Sequence, residues 1–288
     1  MKRKALLIFS FSHFLIFSSS FAADNTGGLW TEVGVTKALP YNLSVEGTLE
    51  HRTSEWFDWS SRWNVGVGLN YRANKYLRLG LSYTYLQKHY HEELKYKYDG
   101  IDANFADYQG ISVTDANGTH SYKGYNADAA NWAQRHRLSL DITGTVKLRK
   151  TLRISLRERY QYTHQAARTV DRVKYRDPSY DGDGNLSGYD EEEVTVDDKS
   201  AKNRHLLRSR LKFSIDKKGW KFEPYVSAET HNDLANGMHL DKIRTIVGVD
   251  YSITKQHKVG LGYVFNHEND EDGDQNIHAI SVGYSFKF

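Results

Sequence analysis

The chain has 288 residues, 39 basic and 36 acidic side chains and no cysteine. The lack of cysteine excludes a disulfide framework, so stability must come from burial and hydrogen bonding. Three basic residues fall within the first four positions, and without them basic and acidic side chains are equal in number. This balance removes any argument from charge for nucleic-acid binding.

The first element is a leader. Residues 2–4 are basic, residues 5–17 are mainly apolar, and Ser20, Phe21 and Ala22 form a small-residue exit. The apolar run is shorter than the roughly 20 residues that a membrane-spanning helix requires. The pattern therefore predicts a secretory signal peptide at residues 1–22, cleaved after Ala22, and one domain over residues 23–288.

The remainder alternates between apolar and polar side chains with a period of two, as strands with one apolar face do. The alternation predicts eleven strands, at residues 29–39, 42–53, 62–73, 76–90, 133–148, 151–165, 204–216, 219–231, 240–253, 256–267 and 277–288. Most are long enough to cross a bilayer as tilted strands. The sequence thus predicts an all-β fold.

The last strand ends on an aromatic residue. Ile280, Val282, Tyr284, Phe286 and Phe288 share one face, and small or polar residues occupy the other. This ending resembles the closing strand of bacterial outer-membrane barrels, whose terminal aromatic residue is part of the signal read by the barrel-assembly machinery. The resemblance implies an assembly signal at Tyr284, Phe286 and Phe288, and a location in the outer membrane.

The connections differ in length. Tight links at residues 73–75, 149–150, 216–219 and 254–255 alternate with longer links, the longest at 91–132, 166–203 and 268–276. In outer-membrane barrels the short turns face the periplasm and the long loops face outwards. We therefore expect a single antiparallel transmembrane β-barrel in contact with lipid and lipopolysaccharide.

The strand count conflicts with this expectation. Eleven strands place the chain ends on opposite sides, whereas single-chain bacterial barrels normally have an even number. Either the run at residues 29–39 does not cross the membrane, or a crossing strand is hidden in a link such as 91–132. The sequence therefore predicts about ten to twelve strands.

The polar faces of these strands carry an uneven charge. The basic residues are Arg135, Arg137, Arg153, Arg157, Arg159, Arg208, Arg210 and Lys212, and the acidic residues are Glu32, Glu46, Glu50, Glu223 and Glu229. One interpretation is a network of ion pairs that fills the lumen, since buried charges must be paired. The alternative is a narrow pore in which an arginine track carries small anionic solutes. The first is favoured.

An enzyme site is not expected. Ser227 and His231 have the residue types of a lipid hydrolase at the barrel rim. Four positions along one strand separate them by about 13 Å, too far for a nucleophile and its base. We therefore predict no catalytic residues, and rank a rim hydrolase below the pore.

A metal site is also not expected. Asp181, Asp183, Asn185 and Glu192 match most of a calcium-loop spacing, but Leu186 occupies the position that requires glycine. The sequence predicts no metal and no cofactor.

Glu158 interrupts the apolar face of its strand. A charge facing lipid is costly at the bilayer midplane and much less so near the interface. We expect Glu158 to lie near the outer interface, or a β-bulge to turn it inwards.

Several short segments resemble a known family. Residues 29–35 (LWTEVGV), 135–137 (RHR), 208–211 (RSRL) and 223–225 (EPY), together with the Gly283-Tyr284 ending, are similar to bacterial outer-membrane proteins grouped as domain-of-unknown-function family 2490. The resemblance implies a single membrane barrel from a Gram-negative bacterium. It implies no activity and no catalytic residue.

Overall fold

A computed structural model describes residues 24–57, 59–148, 151–270 and 273–288. The predicted signal peptide lies outside these residues. The fold is all-β, as predicted, and a single turn of 3₁₀ helix at Glu55–Phe57 interrupts the strands. No described helix is long and apolar enough to cross a membrane.

Eleven strands form a closed barrel. They are β1 (Asp24–Ala38), β2 (Leu43–Ser54), β3 (Trp59–Arg72), β4 (Leu77–Tyr90), β9 (Asn131–Leu148), β10 (Leu152–Gln165), β13 (Lys202–Ile215), β14 (Phe222–Asp233), β15 (His239–Ser252), β16 (His257–Asp270) and β17 (Gly273–Lys287). Six further strands are β5 (Glu93–Tyr98), β6 (Ile101–Phe105), β7 (Ser112–Asp115), β8 (Gly118–Asp128), β11 (Arg168–Tyr180) and β12 (Leu186–Lys199). All eleven predicted strands are barrel strands.

A parallel pair closes the barrel. β1 pairs antiparallel with β2 but parallel with β17, from Asp24 opposite Gln275 to Thr36 opposite Lys287. The Phe288 amide extends this pairing by donating to Thr36 O at 3.0 Å. A ring with an odd number of strands cannot be antiparallel throughout. The count of eleven lies within the predicted ten to twelve, but the expectation of an all-antiparallel barrel is wrong. Neither suggested explanation of the odd count holds, because the run at 29–39 belongs to the wall and the strands within 91–132 are not part of the barrel.

The two rims differ. The turns β1–β2, β3–β4, β9–β10, β13–β14 and β15–β16 all lie at one end, named here the turn rim, and the opposite end is the loop rim. Phe288 lies at the turn rim, whereas β1 begins at the loop rim. The predicted long loop at 268–276 is wrong, because β16 continues to Asp270 and β17 begins at Gly273.

Apolar side chains face outwards from the barrel and polar side chains face inwards. We name this apolar exterior the outward belt. It has exposed members on all eleven strands of the described barrel: Val33, Leu49, Val65, Val67, Leu81, Leu140, Ile142, Leu156, Leu211, Val226, Ile243, Leu261 and Ile280. Inward residues such as Asn64, Ser139 and Glu229 are buried. This polarity is the reverse of that in a soluble domain, where large apolar side chains are mostly inside.

The two longest predicted loops are strands. β5, β6, β8, β11 and β12 form a sheet in the order β12-β11-β8-β5-β6, with β7 beside β8, and we name this sheet the blade. Within the blade, β12-β11-β8-β5 are neighbours in the same order as the barrel strands β13-β10-β9-β4. Each of these blade strands directly precedes or follows its barrel counterpart along the chain. The blade therefore continues the barrel wall beyond the loop rim.

The alternation of apolar and polar residues did not predict the strands of the blade, and the reason is physical. β12 is an edge strand, and Asp190, Glu191, Glu192 and Glu193 place charges on both of its faces. Charged residues on an edge strand discourage pairing with other chains, but they remove the apolar period of two.

One carboxylate braces the inner face of the blade. Asp128 on β8 accepts hydrogen bonds from Arg172 on β11, from Lys95 on β5 at 3.1 Å and from Lys199 on β12 at 3.0 Å. Burial by itself would raise the pKa of the Asp128 carboxyl, but these three cations outweigh burial and hold the pKa well below its ordinary value. The ionised carboxylate thus ties four adjacent strands together.

Tyrosines pack on the other face of the blade. Tyr96, Tyr125 and Tyr175 stand in register on β5, β8 and β11, and the Tyr122 and Tyr189 hydroxyls lie 2.9 Å apart. Gly124 permits this packing, because its φ is +118° and a Cβ there would lie 1.9 Å from the Tyr175 carbonyl oxygen. Only glycine fits this position.

The Asp128 network predicts a pH-dependent blade. Because the folded pKa of Asp128 lies below the unfolded value of about 3.9, its contribution to stability is present above about pH 4 and is lost as the pH falls further. We expect near-ultraviolet circular dichroism of the tyrosine cluster to weaken between about pH 4 and pH 2. Asp128→Asn should weaken the signal at neutral pH, whereas Asp183→Asn in an exposed turn should not. An unchanged acid transition in Asp128→Asn would contradict this account.

Candidate functional site: the charged lumen

The inward faces of the barrel strands enclose one elongated cavity of about 2430 Å³. Its lining reaches from Asp128 and Lys199 beside the loop rim to Asp250 and Lys258 towards the turn rim. The alternation that places apolar residues outside necessarily places their polar neighbours on this wall. Charged side chains line the lumen but do not fill it.

Glu229 on β14 is the centre of the best-paired part of the wall. It accepts hydrogen bonds from Arg157 Nη2 and Arg208 Nη2, each at 2.5 Å. His231 Nε2 lies 2.9 Å from the same carboxylate, and Arg244 approaches it at 3.8 Å. Glu229 is 3% exposed. Three guanidinium groups from three strands therefore share one buried carboxylate.

Two further arginines of the predicted basic track are neutralised by near neighbours. Arg159 forms a bidentate pair with Asp141 on the adjacent strand, at 2.5 and 2.8 Å. Arg153 donates to Glu223 at 3.0 Å and also contacts Asp216 in the β13–β14 turn. The predicted acidic residues Glu223 and Glu229 thus do pair with the track.

The predicted acidic residues of β1 and β2 form no ion pair with the track among the described residues. Glu50 pairs instead with Arg52 at 2.7 Å and with Arg62 at 3.2 Å. Glu46 accepts a hydrogen bond from Asn70 at 3.4 Å, and Glu32 stands opposite Glu50 in the sheet. Within the described residues, neither Glu32 nor Glu46 has an ion pair.

Two track residues, Arg137 and Arg210, line the cavity without a hydrogen bond or a carboxylate within ion-pair distance among the described residues, although Glu229 and Asp141 influence Arg210 from further away. Arg137 Nε is also buried and unsatisfied. Arg135 donates to Gln165 at 2.8 Å, and Lys212 stacks on Tyr225 at 3.7 Å from the ring centroid. Half of the predicted basic track therefore has no ion pair among the described residues.

Five arginines from five strands converge in the half of the lumen nearer the loop rim. This arginine cluster consists of Arg52, Arg62, Arg137, Arg208 and Arg244, which interact electrostatically with one another across the lumen. The Trp30 indole lies between two of them, 3.6 Å from the Arg52 guanidinium carbon and 5.0 Å from that of Arg244. Among the described residues, only Glu50 and Glu229 lie within ion-pair distance of the cluster, so the cluster carries excess positive charge.

The sequence predictions omitted several of these residues. Arg52, Arg62 and Arg244 belong to the cluster, and Asp141 neutralises Arg159. Each falls on the polar face of a predicted strand with the expected period of two. Alternation alone was therefore sufficient to place them inside the lumen, although it could not pair them.

The residues weighed for catalysis and for calcium do not assemble. Ser227 and His231 are buried in the lumen wall, and His231 contacts Glu229 and not Ser227. Asp181 instead accepts backbone N–H groups within its own turn, and Glu192 lies opposite Tyr175, remote from that turn. In the part of the chain that the structure describes, no group of three His, Asp or Glu side chains could hold a metal ion.

The fold and lumen define a closed β-barrel with an apolar exterior and a charged interior. The chain belongs to the family described as "Protein of unknown function (DUF2490)", whose model matches residues 27–277. This match confirms the resemblance to this family that the sequence predicted. A comparison with curated proteins finds no match.

The Glu229 pairs predict a large effect of neutralisation. Glu229→Gln leaves Arg157 and Arg208 without their carboxylate, and removing one partner of a buried ion pair costs about 3–5 kcal/mol. We expect this loss in the free energy of unfolding, measured by denaturant titration of the refolded barrel. The control is Glu46→Gln, which removes a lumen carboxylate without an ion pair and should cost less than about 1 kcal/mol. Equal losses would contradict the assignment of Glu229 as the centre of the network.

Proposed function

We propose that the chain is an integral barrel of the bacterial outer membrane whose lumen passes small anionic solutes. The outward belt supports the membrane location, because its half-exposed Val, Leu and Ile side chains would leave a large apolar area in water. The closed hydrogen bonding of the barrel also supports it, since a spanning structure must satisfy its own backbone groups.

The excess positive charge of the arginines in the lumen supports small anions as the solutes. Arg137 and Arg210 line the cavity without a carboxylate within ion-pair distance among the described residues, and Arg137 lies among other cluster arginines. A guanidinium offers two parallel N–H donors to carboxylate or phosphate oxygens. An anion in the lumen would therefore gain hydrogen bonds that the wall itself leaves unused.

Two other functions have less support. A purely structural barrel requires a lumen filled by paired charges, but the cavity measures about 2430 Å³. A rim hydrolase requires a serine and a base in contact, whereas Ser227 and His231 belong to the lumen wall and do not touch. The single observation that favours the pore is the open volume beside unpaired arginines.

The parallel pairing of β1 with β17 predicts that the start of β1 and the end of β17 lie on opposite sides of the membrane. Because the chain lacks cysteine, single-cysteine variants report accessibility to an impermeant maleimide on intact cells. We expect labelling of Gly182→Cys in the blade and of Thr26→Cys in β1, since both lie beyond or beside the loop rim. Lys217→Cys in a turn at the opposite rim should react only after the outer membrane is permeabilised. Protein absent from the outer-membrane fraction would overturn the proposed location.

Reconstitution into planar bilayers tests the pore. We expect discrete conductance steps with a preference for anions over cations. Arg137→Gln combined with Arg210→Gln should lower the anion-to-cation permeability ratio about two- to fivefold, equivalent to losing about 0.4–1 kcal/mol of electrostatic stabilisation.

The matched control for charge is a double variant in the blade, Lys123→Gln with Lys97→Gln, which removes two positive charges outside the lumen lining. Its permeability ratio should remain that of the parent protein. Absence of discrete conductance, or an unchanged ratio in the arginine variant, would overturn the pore.

A further inference from the structure

Glu158 occupies the middle of the outward belt. It is the seventh residue of β10, and the pairing of β10 with β9 and β13 is continuous from Leu152 to Gln165, without a bulge. Its outward neighbours are Leu156 and Tyr160 along the strand and Ile142 across it. The expectation that a bulge turns Glu158 inwards is wrong, and the residue lies mid-strand, away from both rims.

Hydroxyl groups stand beside this carboxylate. Ser209 on β13 is directly opposite Glu158 and donates from Oγ to Glu158 Oε2 at 2.5 Å. Thr230 on β14 is directly opposite Ser209. In the middle of the described barrel strands, Glu158 is the one carboxylate on the outward face. The Glu158 carboxylate and the hydroxyl groups of Ser209 and Thr230 thus form a polar line across β10, β13 and β14 on a mainly apolar face.

A groove and a ridge flank this polar line. On the β9 side, Gly144 forms the floor of a groove of about 460 Å³ lined by Tyr76, Leu77, Val146, Ile154 and Leu156. A Cβ at Gly144 would meet no atom within 4 Å. On the β13 side, Leu211, Phe213 and Ile215 form a row of half-exposed apolar side chains, which we name the ridge. Leu156 and Ile154 pair with Leu211 and Phe213, so groove and ridge are adjacent.

We propose that this face of the barrel binds a second copy of the chain. The proposal rests on the membrane location proposed above, because a carboxylate exposed to lipid is unfavourable and intramembrane polar groups usually meet a partner. The face is complementary to itself: an acceptor stands beside donors, and a groove stands beside a ridge. A two-fold contact uses the same surface on both copies, so each ridge meets the groove of the other copy.

Cross-linking in native membranes tests the contact. Leu211→Cys places a thiol on the ridge, and Leu49→Cys places one on a half-exposed outward leucine of β2, across the barrel. With a short bifunctional maleimide, we expect a covalent dimer for Leu211→Cys and none for Leu49→Cys. Adding Glu158→Leu to Leu211→Cys should lower the dimer yield roughly three- to tenfold, the range of one hydrogen bond inside a bilayer.

Two further variants separate the polar line from packing. Glu158→Gln keeps the shape and an acceptor oxygen, and should retain the dimer yield within about twofold. Gly144→Leu fills the groove without touching the polar line, and should also lower the yield. Each variant is first shown by flotation and impermeant labelling to be inserted in the outer membrane.

The possible outcomes are distinct. Equal cross-linking at Leu211→Cys and Leu49→Cys, a yield unaffected by Glu158→Leu, or a product of a mass other than twice the chain would overturn the second-copy contact while leaving the membrane barrel intact. Failure of the parent protein to insert would overturn the proposed function, and this inference with it.

Discussion

The parallel contact between β1 and β17 is the constraint on which the rest of the molecule depends. An open sheet of eleven strands would leave two long edges with unpaired N–H and C=O groups. Closing an odd ring requires one parallel pair, and this pair extends from Asp24 to Thr36 on β1. Closure separates an inside from an outside, and it places the start of β1 and the end of β17 at opposite rims.

Closure also explains the distribution of charge. Once strands alternate around a closed wall, every second side chain is confined to the lumen, where a lone charge is costly. Part of this cost is offset because one carboxylate pairs with several cations, as Glu229 does with Arg157 and Arg208. Arg137 and Arg210 remain beside open volume, where water or a solute can solvate them. The same wall therefore combines ion-paired arginines with arginines that have no carboxylate within ion-pair distance among the described residues.

The predictions from sequence succeeded where a local period governs the structure. All eleven barrel strands and the apolar face ending in Phe288 follow from alternation, because each strand carries apolar side chains on its outward face and polar side chains on its inward face. The blade lacks that condition. β12 is exposed and charged on both faces, and β8 is held by Asp128 and a cluster of tyrosines. Neither pattern has a period of two to detect.

For the candidate site, too, the sequence predicted one part and the tertiary structure decided the other. The sequence by itself determined which residues enter the lumen, since the period of two assigns Arg157, Arg208 and Glu229 to one side of the wall. Tertiary structure decided their partners, because Glu229 meets arginines that lie 21 and 72 positions away in the chain. It also decided that β1 pairs with β17, and that Glu158 stays outside beside Ser209. Strand register and barrel closure join distant segments, and a local repeat carries no information about which distant strand becomes the neighbour.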